Sequence, residues 1–203
     1  MPGLLWLSGL VVVLDQVTKF WIMATFEEYE VLVIWPVFNL TLVYNTGAAF
    51  SFLSDAGGWQ RGFFIVIGIV VSVVMVVWLG RLHAHERLTG YGLALVIGGA
   101  VGNLIDRIWL GKVVDFLQWH WEQWYWPSFN LADSAITLGV ILLLVGCAGV
   151  LLLLLAQNYR AARTSLARVQ VFSDNLVSRM PIGLIAVDQD GRITTLNSIA
   201  EAT

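Results

Sequence analysis

The sequence predicts an all-α membrane protein: four transmembrane helices, with a small extracytoplasmic β-sheet between helices 1 and 2. Three observations predict it. The 203 residues are 58% hydrophobic and 12% charged, about half the charged share of ordinary soluble domains, and the mean hydropathy is +0.78. Four stretches, roughly 4–24, 62–80, 88–108 and 132–156, each supply the about 20 mostly apolar residues that a helix needs to cross hydrocarbon. Between the first two, the β-branched and aromatic run from Tyr29 to Tyr44 alternates in Phe38-Asn-Leu-Thr-Leu-Val-Tyr44, which predicts short strands.

The first apolar stretch has no Lys or Arg before it and no small-residue cleavage pattern after it, so it reads as a retained span rather than a signal peptide. It contains Asp15-Gln-Val-Thr-Lys19, whose acid and base sit at i and i+4 on one helix face. Two readings stand for this pair: a lysine snorkelling to the interface with Asp15 neutralised by it, or part of a functional site inside the membrane. The following segment, 25–61, carries Glu27, Glu28, Glu30 and Asp55 before any basic residue, and includes Asn45-Thr-Gly-Ala-Ala-Phe-Ser51, an Asn-x-Gly turn.

The second span, 62–80, is free of charge. The turn after it holds Arg81 and Arg87, and Arg160, Arg163 and Arg168 follow span four. The positive-inside rule puts both groups, and with them both termini, on the cytoplasmic side, so 25–61 and 109–131 face outward. The third span carries Gly98-Gly-Ala-Val-Gly-Asn-Leu-Ile-Asp-Arg107. Gly98 and Gly102 form a small-xxx-small pair suited to close helix packing. Packing does not explain Asn103 and Arg107 one turn apart with Asp106 beside them.

In the second outward segment, Trp119, Trp121, Trp124 and Trp126 cluster with Tyr125, as rings do at the headgroup level. Asp115 follows span three, and Asn130 and Asp133 open span four, where they read equally as a helix cap or as part of a site. The lone Cys147 lies in the apolar run of span four and reads as a small buried hydrophobe, with no disulfide or thiol chemistry. The chain thus divides into a membrane domain over 1–156, a polar helical linker over 157–180, and a short segment over 181–203. In the last, Asp190-Gly191 between alternating apolar runs signals a hairpin. That segment resembles the opening strands of a PAS sensor domain, too short to bury a core of its own.

If spans three and four are antiparallel neighbours, Asp115 leaves the outer end of one and Asp133 enters the outer end of the other. Two carboxylates at one depth cannot both ionise comfortably, so they share a proton and titrate as a pair. One can then activate a water while the other, protonated, polarises a carbonyl. Such a pair hydrolyses a peptide with no metal and no cofactor.

Five blocks stand together: Asp-Gln-x-Thr-Lys at 15–19, Asn-Thr-Gly-Ala-Ala-Phe-Ser at 45–51, Gly-Gly-Ala-x-Gly-Asn-x-x-Asp-Arg at 98–107, Val-Asp-Phe at 114–116 and Phe-Asn-x-Ala-Asp at 129–133. In this order they resemble the lipoprotein signal peptidase (signal peptidase II) family over residues 4–156. The resemblance implies a multi-pass aspartic endopeptidase of the bacterial inner membrane, acting near the outer leaflet. Its substrates would be diacylglyceryl-modified prolipoproteins, cut just before the lipidated cysteine, and membrane lipids would be its surroundings. Asp115 and Asp133 would be catalytic. Asn45, Asn103, Arg107 and Asn130 would line the site, Asp15 and Lys19 would support it, and Gly47 and Gly99 would allow close backbone approach.

Other classes fit less well. No basic stripe is present for nucleic acid, and the formal charge is −3. His83, His85 and His120 show no metal-ligand spacing with carboxylates. A relay for ions would need polar residues through the full membrane depth, whereas here they gather toward the outer ends. A single chain supplies both aspartates, which predicts a monomer.

Overall fold

The structure, a computed structural model, describes residues 1–47, 58–179 and 185–196. Residues 48–51 of the Asn-Thr-Gly block, and 181–184 and 197–203 of the segment expected to resemble a PAS domain, therefore lie outside the described residues. The chain forms two units, Met1–Ala148 and Gly149–Thr203.

In the first unit, helices α1 (Leu5–Thr25), α2 (Trp59–Arg81) and α3 (Arg87–Trp109), with the start of α4 (Leu131–Arg179), are the four candidate membrane spans. Their outward side chains are apolar and exposed, as lipid-facing side chains must be: Val13, Val17, Val66, Val70, Leu144 and Val145 are examples. Cys147 belongs to this exposed surface rather than to a buried core, which corrects the expectation for it. An apolar side chain needs no burial in protein where the surrounding solvent is hydrocarbon.

α3 is the interior helix, and its glycines are what let it be so. A Cβ on Gly98 would stand 2.7 Å from the Val11 Cβ of α1. On the other face, a Cβ on Gly99 would collide with the Ala132 carbonyl oxygen of α4, and one on Gly92 would come within 2.9 Å of the Gly139 carbonyl. Backbones at this distance gain dispersion contacts that larger side chains would forbid.

Strands β1 (Val31–Trp35), β2 (Phe38–Asn45), β3 (Val113–Trp121) and β4 (Trp124–Tyr125) form one antiparallel sheet in that order. The sheet expected between helices 1 and 2 alone thus takes half its strands from the connection between α3 and α4. β2 pairs with β3 in a register that sets Val43 beside Asp115 and Asn45 beside Val113. Ile22 and Phe26 at the end of α1 pack with Leu42, Val114 and Phe116, which seats the sheet on the helix ends. Gly111, at φ +78°, makes the turn from α3 into β3.

In the second unit, β5 (Ile185–Val187) and β6 (Ile193–Leu196) form the expected hairpin. The Asp188 carboxylate accepts from the Asp190 and Arg192 amides across its turn, with Gly191 at φ +77°.

Candidate active site

Asp15, Gln16, Lys19, Asn45, Asn103, Asp106, Arg107, Asp115, Asn130 and Asp133 meet at one end of the helix bundle. Asp115 arrives on β3 and Asp133 in the first turn of α4. Three asparagines hold the carboxylates. Asn130 donates from Nδ2 to Asp115 Oδ1 at 2.8 Å and accepts the Asp133 amide at 2.8 Å, while its own amide donates to Asp133 Oδ2 at 3.2 Å. It therefore caps α4, as one reading of Asn130 and Asp133 had it, and holds the Asp115 carboxylate with its side chain and the Asp133 carboxylate with its backbone amide. Asn103 Nδ2 donates to Asp133 Oδ1 at 2.8 Å, and Asn45 Nδ2 to Asp115 Oδ2 at 3.1 Å.

What fixes the Asn103 amide is a buried lysine. Lys19 is 1% exposed, so it does not snorkel, and its three N–H bonds go to Asp15 Oδ2 (2.8 Å), Asp106 Oδ2 (2.8 Å) and Asn103 Oδ1 (3.0 Å). An ammonium only donates, so the Asn103 oxygen must face it and the amide nitrogen must face Asp133. Asp15 Oδ1 in turn accepts the Ala132 amide at 2.9 Å, one of the free N–H groups at the start of α4. Asp106 Oδ2 also accepts the Val114 amide at 3.2 Å, next to Asp115. The ion cluster thus ties α1, α3, α4 and β3 together beneath the two acids.

Arg107 donates from Nη2 to the Gly47 carbonyl at 2.9 Å, lies over the Phe64 ring, and interacts electrostatically with Asp133 and Asp115. Gly47 in turn donates its amide to Asn45 Oδ1 at 2.9 Å. Every site residue singled out in the sequence belongs to this assembly. Reading the sequence gave no site role to three others. Asp106 is the second acid on Lys19, and Gln16 bonds Asp106 Oδ1 at 2.9 Å. Arg61 bonds the Arg107 and Ile108 carbonyls at 3.0 and 2.9 Å, capping α3 from α2. Asp106 and Gln16 lie inside the five blocks, and charge within a span was a signal for Asp106 alone. Arg61 carried none.

The acids open onto a cavity of about 830 Å3. Asn45, Asn103, Arg107, Asp115 and Asp133 give it a polar floor; Trp119, Trp126, Ile136, Leu138 and Ile141 give it apolar walls running along α4. Burial, and after it the charge of Asp133, push the Asp115 carboxyl up to about 7.

A family model described as signal peptidase (SPase) II matches residues 7–149. The chain is 55% identical over 141 residues to a lipoprotein signal peptidase of Pseudomonas fluorescens (strain Pf0-1), a match spanning 68% of this chain and 83% of that one. Over 145 residues it is 57% identical to one of Ectopseudomonas mendocina, covering 70% and 85% of the two chains. A solved bacterial membrane enzyme, determined by the in meso method, superposes with a TM-score of 0.67 at 31% identity over 73% of this chain and 89% of that one.

Proposed function

Because this chain belongs to the signal peptidase II family, we propose that it removes signal peptides from prolipoproteins with Asp115 and Asp133 as its catalytic pair. It is an aspartic-type signal peptidase of a bacterial membrane, crossing it several times. The observation that carries the mechanism is the convergence of two buried or half-buried carboxylates, from different elements, on the polar floor of one cavity.

Burial, and after it the charge of Asp133, disfavour the ionised form of Asp115, so in this mechanism Asp115 holds the shared proton. A water between the acids loses a proton to the ionised Asp133 as it attacks the scissile carbonyl, and the protonated Asp115 donates a hydrogen bond to the developing oxyanion. The proton gained by one acid then passes to the leaving amine, and the pair returns to its single shared proton. Arg107 and the three asparagines hold this geometry and position the peptide.

The substrate carries a diacylglyceryl group on the cysteine that follows the cut. Its acyl chains run along the apolar cavity wall of α4, and its peptide lies beneath the sheet. Arginines at 81, 87, 160, 163 and 168 support cytoplasmic termini, and with them a site and sheet at the outer leaflet of the inner membrane. One chain supplies the whole site, so a single chain suffices for catalysis.

The test is product analysis. Purified protein in lipid is given a diacylglyceryl-modified prolipoprotein, and the products are read by mass spectrometry. A single new terminus at the lipidated cysteine is expected; cutting elsewhere, or equal cutting of the unmodified precursor, contradicts the proposal.

A further inference from the structure

The peptidase chemistry leaves one long surface unused. Past its apolar run, α4 stays helical to Arg179, and its large apolar side chains stand in the open: Leu166 is 67% exposed, Val169 62% and Leu176 47%. Val171 and Phe172 are exposed beside them, and the others form a stripe. Tyr159, Ala162, Leu166, Val169, Ser173 and Leu176 follow one another at alternating steps of three and four, the a and d positions of a heptad. The charged residues of the stretch, Arg160, Arg163, Arg168, Asp174 and Arg179, all fall at other positions.

We propose that this stretch pairs with the same stretch of a second copy, as a parallel, in-register two-stranded coiled coil. Direction and proximity come from the membrane. The seam belongs to a helix whose earlier part crosses the bilayer, so two copies enter with the same direction and at a high effective concentration.

The flanking positions agree with this alignment. In a parallel pair each g residue faces the e residue five positions further on in the other chain. Asn158 then faces Arg163, Ser165 faces Gln170 and Phe172 faces Val177. Polar meets polar, apolar meets apolar, and no like charges oppose. The peptidase therefore works as a dimer held by its tails, each chain keeping its own complete site.

The test uses the full chain in lipid with Cys147→Ala, so that one introduced cysteine reports at a time. Leu166→Cys and Val169→Cys place thiols in the seam, and Val171→Cys places one at the outward f position. Two cysteines more than about 7 Å apart at Cα cannot bridge without backbone movement. Under mild oxidation the two seam variants are expected to form disulfide-linked dimers while Val171→Cys stays monomeric. Equal crosslinking at all three positions, as chance collision of tails lying on the membrane would give, overturns the proposal, and so do monomers throughout. A second measurement is native mass in lipid: the dimer is expected in wild type and lost in Leu166→Glu/Val169→Glu, with peptidase turnover retained as the check on folding. A dimer that survives both charges also overturns the proposal.

Discussion

At the scale of single residues, the two acids and the lysine beneath them carry the sharpest expectations. Asp115 titrates near 7 because burial, then Asp133, disfavour its charge. A folded-state value above the ordinary 3.8 means that its contribution to stability is complete below that value and is lost as pH rises through about 7. If its proton is the one used in catalysis, kcat/KM falls over the same upper limit, which a pH profile in lipid reads directly. In Asp133→Asn the Asp115 midpoint is expected to move down but to stay above 3.8, since burial is the larger cause; carboxyl infrared titration measures it, and an unmoved midpoint would remove the coupling between the acids. Lys19→Met leaves Asp15 and Asp106 buried without their cation, which costs roughly 3–5 kcal/mol. Thermal unfolding in detergent is expected to show that loss, together with lost turnover from a freed Asn103 amide. Asp15 and Lys19 were legible as a pair because their spacing lies on one helix. Asp106 as the second partner was not, since no periodicity within α1 or α3 tells how deep one helix sits against the other.

At the scale of elements, the helices and the sheet were legible to different degrees. Spans are written in long apolar runs, and their predicted limits fall within a few residues of α1, α2 and α3. β1 was visible by its β-branched and aromatic run, and β2 by alternation. β3 was hidden because its tryptophans, Trp119 and Trp121, signal the membrane interface as strongly as a strand, and its partner β2 is some 70 residues away in sequence. Close packing of α3 on α4 was only half legible. The Gly98 and Gly102 pair faces α1, while Gly92 and Gly99 admit α4. Gly99→Ala is therefore expected to push α4 away from α3, and with it Asp133 from Asn103, so turnover drops while the protein still inserts. Gly68→Ala, whose Cβ would meet only Leu104 at an ordinary 3.4 Å, is the matched control and is expected to keep its activity. Equal losses in the two would show that helix spacing does not set the site.

At the scale of the whole molecule, the site residues all lie in the first unit, and the family match ends at residue 149. A chain stopped after Arg163 is therefore expected to cut its substrate at near wild-type turnover while losing the tail seam; a large drop in turnover would tie the tail to catalysis. The proposed reaction is hydrolysis, by two aspartates that β3 and α4 bring together, of the bond that joins a signal peptide to a lipidated cysteine. Its most direct test is cleavage of a diacylglyceryl-modified prolipoprotein and of its unmodified precursor by purified wild type, Asp115→Asn and Asp133→Asn. Cleavage of the lipidated form by wild type alone is the expected result; near wild-type turnover in either Asn variant would contradict it.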